Sequence, residues 1–548
     1  MKIKQERSPV YSSFKQSLQH LLCFFLLVFI PFFSARGKDL DIDPELLEKF
    51  NLVTVNGEIL VEVSMKNLLT LALERATTMD IVFVNQQIAR DKHEAMKSLY
   101  HPTLTTTVGL QKVVSTTGTN MSGDVTNPYS GTAADFLNMQ AADTTALSTT
   151  WSKKTKRGIQ YSLGYEKAAT LTSTGSYQEQ GDAFDGWEKV DDPLYTDSLT
   201  AKVMVPLFQD WGDINRSPEF KSKIGLESTE VESRKSVLDM LELVAGIYWD
   251  LVGVEENIQT LEASETLAEQ FVEDTKTRMA LGVLDPIEVK QGESQLLIVQ
   301  QNLLSETFQK NQIEDQIKVA LNLQDIPYGY RPTESMKQRS LSYDFEALLN
   351  TVYKNSPDLA MLKSQLDLNA IELREAQNKS KTDLDFSLQY RFNGFGQDMT
   401  ESSTTMSETK LHDYQIGLSW NLPLFDKQTP QTIRQQTLEN QRLMLQIDNL
   451  KAQLKVSLQS VLRSLKLAER GIKLATTSVA LARDLLEKET EKFKLGNTTS
   501  FRVSQVQQDL TDAYKNKTLA QVNYEKSYLQ LLIITGQIFE EYDLPENY

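Results

Sequence analysis

The sequence predicts an internally duplicated chain of mixed α and β class, in which short strands alternate with very long helices. Three observations carry this. Leu281-Gly282-Val283-Leu284-Asp285-Pro286-Ile287-Glu288-Val289-Lys290-Gln291 is echoed by Leu495-Gly496-Asn497-Thr498-Thr499-Ser500-Phe501-Arg502-Val503-Ser504-Gln505 at a constant offset of 214. Val205-Pro206-Leu207-Phe208 is echoed by Leu422-Pro423-Leu424-Phe425 at an offset of 217. Between each Pro-Leu-Phe and each Leu-Gly lie about 70 residues, 72 and 69, with no proline after the first ten. Two such halves must pack together, so the duplication overrides a domain count based on the length of 548 residues.

The chain begins with Lys2, Lys4, Arg7 and Lys15, followed by the apolar run Leu21–Phe33 and the small residues Ser34-Ala35. This order describes a secretory signal over residues 1–37. The apolar run of 13 residues is shorter than the roughly 20 that a membrane-spanning helix needs. The only cysteine, Cys23, lies within the signal, so the mature chain has no disulfide and no cysteine metal site. Residues 1–37 carry five positive charges and one negative, so their removal takes the net charge from −17 to −21. A chain this acidic repels nucleic acid.

After a segment at 38–62, the first repeat spans 63–325 and opens on a helix over Val63–Tyr100. Thr103–Val113 and Ser198–Pro206 alternate like strands, as do Asp385–Phe392 and Tyr414–Leu422 in the second half. Their length, roughly ten residues, suits outer-membrane strands, but the same period fits a half-buried soluble sheet. Ser115–Thr150, rich in Ser, Thr and Gly, reads as a loop. Ala146–Trp151 and Ile159–Tyr165, joined around Lys156-Arg157-Gly158, resemble an additional hairpin that only the first half has.

Long helices follow at 215–281 and 427–495. Leu443, Ile447, Leu450, Leu454, Leu458, Val461 and Leu465 step mostly by alternating four and three, and Val237, Leu241, Val244, Tyr248 and Leu251 repeat the pattern. This is a coiled-coil seam, and at 1.5 Å per residue each helix is roughly 100 Å long. Gly282 and Gly496 stop the helices, and Asp285-Pro286 and Thr498-Thr499-Ser500 restart them at once. The returning arms, 287–323 and 501–535, are half as long, as is the helix Tyr343–Lys381 that opens the second repeat at 343–537. Two half-length helices stacked end to end match one long one. A connector at 326–342 holds Pro327, Gly329 and Pro332, and a tail occupies 538–548.

Catalysis finds no support. The four histidines, His20, His93, His101 and His412, are dispersed, and no phosphate loop, nucleophile elbow, cofactor motif or zinc signature appears.

Strand, Pro-Leu-Phe, very long helix, Leu-Gly tip and half helix, all given twice after a signal, resemble the TolC-like family of outer-membrane efflux proteins. The resemblance covers about Val63–Gln537. It implies a homotrimer: a shared outer-membrane β-barrel with four or more strands per protomer, continued by a periplasmic α-helical coiled-coil barrel. The implied role is a passive, porin-like exit duct for a tripartite efflux pump or a type I secretion system. Its partners would be a periplasmic adaptor protein, an inner-membrane RND or ABC transporter, and outer-membrane lipid. Elementary physics asks for something similar, because open sheet edges are not tolerated in hydrocarbon and four strands cannot close a barrel. Three copies supply twelve strands, or eighteen if the extra hairpin joins the wall. Twelve helix columns can enclose a bore, whereas four cannot.

The resemblance directs the hairpin tips to the adaptor: Arg278, Leu281, Gly282, Val283, Leu284 and Asp285, with Lys492, Leu495, Gly496, Asn497, Thr498, Thr499 and Ser500. Turning the helix accounts for both glycines by itself. The family's acidic gate positions fall here on Arg502 and Gln505, a departure that puts a narrow acidic ring in doubt. The matching first-repeat residues are Glu288 and Gln291, and an Arg502–Glu288 contact would hold the constriction closed; solvated surface charge is the plainer reading. Phe208, Trp211, Trp420 and Phe425 suit an interfacial aromatic belt or the packing of the strand-to-helix turn. The rival reading, a periplasmic coiled-coil spacer or tether, shares the signal and the heptads but leaves the strand pairs and the duplicated junction without a purpose.

Overall fold

A computed structural model describes residues 51–55, 58–120, 136–178, 183–184, 188–189, 193–323, 329–336 and 343–545. The expected signal at 1–37 and parts of the connector lie outside the described residues. Strands β1 (Asn51–Val55) and β2 (Glu58–Val63) precede helices α1 (Met65–Arg75) and α2 (Thr77–Lys97). The single helix expected over Val63–Tyr100 is therefore broken, because Ala76 sits in the extended region with ψ 135°. The break lets α1 turn Leu68, Leu69 and Ala72 fully inward while α2 continues at a new angle.

Next come β3 (Thr103–Asn120), β4 (Phe136–Lys154), β5 (Gln160–Gln178), the two-residue β6 (Ala183–Phe184) and β7 (Glu188–Lys189), and β8 (Leu194–Pro206). The long helix α3 (Ser217–Ala280) and its returning arm α4 (Pro286–Ala320) follow. A short β9 (Gly329–Pro332) pairs in parallel with β2. The second half runs α5 (Phe345–Asn355), α6 (Pro357–Lys379), β10 (Asp383–Gly396), α7 (Met399–Ser407), β11 (His412–Asn421), α8 (Gln428–Lys494), α9 (Ser500–Thr535) and α10 (Ile538–Glu541). The helix expected over Tyr343–Lys381 is also broken, at Ser356-Pro357: Pro357 has no N–H to donate backwards, and the Ser356 hydroxyl caps the new start through the Leu359 amide.

The main sheet has the order β11-β10-β8-β5-β4-β3, every neighbour antiparallel. This corrects the loop expected at Ser115–Thr150: residues 115–120 belong to β3 and 136–150 to β4, while 121–135 lie outside the described residues. The Ser and Thr residues that suggested a loop are distributed over both faces of these strands, where Thr is a good strand former. The additional hairpin is longer than expected and stands inside the sheet, between β3 and β8.

The sheet has two chemically different faces. One cross-strand row runs Leu104, Trp151, Leu163, Ala201, Tyr390 and Tyr414 through all six strands. The adjacent row, on the opposite face, runs Thr105, Thr150, Gly164, Thr200, Arg391 and Asp413. On the apolar face Leu104, Leu110, Ile416 and Leu418 are exposed. Helix α7 is seated on this same face, at the row Val108, Leu147, Lys167, Asp197 and Gly394: Ser403 donates to Asp197 Oδ2 at 2.6 Å, and Lys167 Nζ lies 3.4 Å from the same oxygen.

The helices pack along α3 and α8. Helix α2 lies against the strand-proximal part of α3, with His93 Nδ1 2.9 Å from Ser222 Oγ, and α4 lies along the rest, with Lys310–Glu255 at 2.9 Å and Lys276–Glu293 at 3.3 Å. Helix α6 follows α8 near the strands, with Asn369 donating to Gln436 at 2.7 Å, and α9 follows it towards the tip. Val237, Leu241, Val244, Tyr248 and Leu251 are buried, as the heptad seam requires.

A Cβ on Gly394 would lie 2.1 Å from the Ser402 carbonyl oxygen. Gly394→Val is therefore expected to unseat α7 and to speed protease cleavage of residues 397–411, with the strands intact. Unchanged resistance to cleavage would show that α7 does not depend on this seat.

Candidate functional site

The two hairpin tips are built alike. At the first, Gly282 adopts φ +77°, its N–H donates to Met279 O, and the Val283 N–H donates to Arg278 O, both at 2.9 Å. At the second, Gly496 adopts φ +74°, with Gly496 N–H to Phe493 O at 3.0 Å and Asn497 N–H to Lys492 O at 2.9 Å. Both are Schellman closures, which need a left-handed residue that glycine supplies without strain. The Asp285 carboxylate accepts the Ile287 N–H at 3.0 Å and the Thr499 hydroxyl accepts the Arg502 N–H at 3.4 Å, so each returning helix starts capped.

The tips present apolar side chains outward. Leu281 is 74 %, Leu495 75 % and Phe501 60 % exposed, and Val283 is exposed beside them. Leu284 instead packs inward on the cluster Phe271, Phe493 and Val503, where the two phenyl rings lie 5.1 Å apart. Arg278 joins the hairpins: its Nε donates to Asp274 at 3.0 Å and its Nη1 to the Lys494 carbonyl at 3.3 Å, with the guanidinium 5.7 Å from the Phe493 ring. That carbonyl is one of the unpaired acceptors at the end of α8, where a cation is favoured. Lys492 turns back to Glu489 at 2.7 Å and, by this hydrogen bond, holds the Glu489 carboxyl below the usual carboxylate range.

The expected Arg502–Glu288 contact is corrected. Glu288 Oε2 accepts the Ser500 backbone N–H at 2.7 Å, and Ser500 Oγ lies 3.1 Å from both the Glu288 carbonyl oxygen and Gln291 Oε1. Arg502 bonds within its own helix, to Gln505 Oε1 at 3.1 Å. The reason is geometric: the first amides of α9 form a fixed, positively polarised donor group, whereas an exposed arginine is solvated and mobile. Ser500 is completely buried by this contact. Ser500 and Glu288 thus form the joint between the hairpins, and Phe271, Phe493 and Val503, which sequence reasoning missed, form its floor. The signal was present in Phe493, placed two residues before the Leu-Gly turn.

At the other end of the helices, Trp420 lies on the apolar face of the sheet opposite Leu384. Phe208 and Trp211 are exposed on the β8–α3 turn, and Phe425 is 94 % exposed at φ +61° on the β11–α8 turn. Trp151 and Tyr161 share the apolar face near the same end and complete the aromatic set. Among the described residues no group of His, Asp and Glu is gathered that would hold a metal ion, and no helix is long and apolar enough to cross a membrane.

Among solved structures, the chain is similar to the outer membrane protein VceC from Vibrio cholerae, at 15 % identity and a TM-score of 0.58 over 86 % of this chain and 96 % of that one. It is similar to the CmeC outer membrane channel of Campylobacter jejuni at 13 % identity and TM-score 0.58, over 88 % and 90 % of the two chains. CusC, described as forming a transmembrane channel, aligns at 10 % identity and TM-score 0.61, over 86 % and 91 %. No family model and no curated protein sequence matches. At these identities the likeness is one of fold, and the fold is that of the TolC-like outer-membrane channels.

Glu288→Ala removes the acceptor of a charge-assisted bond, a loss of about 1–2 kcal/mol at a helix start. Hydrogen exchange at the Ser500 amide is expected to rise roughly tenfold on that basis, and less in Glu288→Gln, which keeps a neutral acceptor. An unchanged rate in Glu288→Ala would dismiss the joint.

Proposed function

We propose that this chain is the outer-membrane exit duct of a tripartite efflux pump or a type I secretion system, a homotrimer that conducts cargo passively across periplasm and outer membrane. One observation carries the reading: a two-faced sheet, its apolar side exposed outside the seat of α7 and its β3 and β11 edges unpaired among the described residues, is joined without interruption to helical hairpins. On β3 the apolar face runs through Leu104, Val108 and Leu110, six residue steps or about 20 Å along the strand, and is closed by the Lys112–Asp143 pair at 3.9 Å. Such a face suits contact with lipid in an outer-membrane barrel. Trp151, Tyr161 and Trp420 lie near its helix-side border, where aromatic girdles sit.

Exposed edges at β3 and β11 call for partners, and copies of the same chain supply them in a closed ring. The helices carry matching evidence, because Leu467, Leu474 and Leu481 repeat every seven residues on the outside of α8 and remain exposed in one chain. Leu297 and Leu304 do the same on α4. A second chain's hairpin laid against each would bury both stripes.

The tips, with Leu281, Val283, Leu495 and Phe501 uncovered, are the proposed adaptor contact. Force from the adaptor and an inner-membrane RND or ABC transporter would reach the Glu288–Ser500 joint beneath. A periplasmic spacer leaves the apolar sheet face without a solvent it tolerates.

Outer-membrane fractions are expected to contain a trimer that survives mild detergent and dissociates on boiling. A folded monomer recovered from the soluble fraction would defeat the proposal. Gly496→Trp forces a bulky side chain into a left-handed position on the outer surface of the tip, where nothing lies within 4 Å of a Cβ. Trimers should persist in the membrane while export stops, read as increased sensitivity of the host to a panel of dyes, antibiotics and metal ions. Retained resistance would separate the tips from adaptor contact.

A further inference from the structure

We infer that the assembled wall in the outer membrane has eighteen strands, with a polar bore wide enough for a bulky hydrated cargo. The inference rests on the duct reading and deepens it.

The β4–β5 hairpin is an integral part of the wall. Strand β4 pairs with β5 over their whole length, Phe136–Gln178 to Lys154–Gln160, without a bulge. Strand β3 pairs with β4 from Thr103–Ser152 to Asn120–Phe136, and β5 with β8 from Gln160–Met204 to Thr170–Leu194. No direct β3–β8 pairing exists among the described residues, so removing the hairpin would leave a gap in the sheet.

The turn of the hairpin is fastened into the joint between strand and helix. The Arg157 carbonyl accepts the Gly212 N–H at 3.1 Å, and Lys156 Nζ lies 3.4 Å from Glu219 on α3. Gly158, at φ +97°, allows this approach: a Cβ there would lie 2.4 Å from the Asp210 carbonyl oxygen. A flap lying outside a smaller barrel would need neither contact. Both faces also continue through the hairpin. Trp151 and Leu163 extend the apolar row, and Thr150 and Gly164 extend the polar one.

Six strands from each of three copies give eighteen. Barrel diameter grows about linearly with strand number, so this wall is about 1.5 times as wide as one with four strands per copy, with about twice the cross-section. Walls of this size leave an aqueous channel, whereas small ones are filled by their own side chains. The inward face offers Thr105, Thr107, Ser148, Thr150, Ser162 and Thr200, interspersed with the charged Glu166, Lys202 and Arg391, which hydrogen-bond water and solute without binding an apolar molecule tightly. Such a lining suits a cargo of polypeptide calibre that passes hydrated.

Disulfide mapping in outer membranes tests this in the full chain carrying Cys23→Ser. Ile416→Cys on β11 is combined in turn with Leu104→Cys, Thr106→Cys, Val108→Cys and Leu110→Cys on β3, all on the apolar face. Tyr165→Cys with Leu199→Cys, directly opposite on β5 and β8, reports the hairpin in place. The expected result is an intramolecular Tyr165–Leu199 disulfide together with a trimer-linking β11–β3 disulfide in at least one register. Electron microscopy of the extracted protein is expected to show eighteen strands. A twelve-stranded trimer in which Val108→Cys links to Leu199→Cys within one chain would overturn the inference and leave the duct reading intact. Absence of both a trimer and any β11–β3 link would overturn the two together.

Discussion

A sheet with an apolar face and two open edges cannot be stable in either solvent available to it. In water the row Leu104, Trp151, Leu163, Ala201, Tyr390 and Tyr414 would be exposed, and in hydrocarbon the edge amides of β3 and β11 would lack partners. In the duct proposed above, closure with further copies within a membrane removes both costs. The rest of the architecture is arranged around that need. The long helices and their partners leave the sheet on one side only, at the starts of β3 and β10 and the ends of β8 and β11, whereas the short α7 links β10 to β11 at the other side.

The helical part solves a different problem, that of length. A single helix of 64 or 67 residues has no core of its own, so each long helix is covered in two stages. Helices α2 and α6 cover the strand-proximal part, and α4 and α9 the part towards the tips. The ion pairs along these seams, such as Lys515–Glu306 at 2.6 Å and Lys526–Asp250 at 2.7 Å, are partly exposed. Each contributes little energy, and their main effect is to fix which helices meet and in what register.

At the tips the contacts between the two repeats become specific. Arg278 donates to the end of α8, and Glu288 accepts from the start of α9, so a cation and an anion from the first repeat each meet the helix end of opposite polarity in the second. The Phe271–Phe493–Val503 cluster lies directly beneath. Two hairpins that are near copies are thus joined by a contact that is not itself duplicated: Arg502, which stands where the first repeat has Glu288, bonds along its own helix.

Local chemistry in the sequence determined much of this. The Leu-Gly turns, their caps at Asp285 and Thr499, and the heptad burial of Val237, Leu241 and Val244 follow from rules that act over a few residues. The break at Pro357 is equally local, set by the missing proline N–H and the Ser356 cap. What the sequence left undecided is what depends on residues far apart in the chain. The Ser and Thr residues of 136–150 read as a loop by composition and became strand because β3 and β5 stand on either side. Charge alone would pair Glu288 with Arg502, but in space Glu288 meets the amide of Ser500, since a helix end offers donors fixed in place and an exposed side chain does not. Periodicity reports which side of an element is apolar. Only the assembled tertiary structure decides what that side, or an open hydrogen-bonding group, will meet.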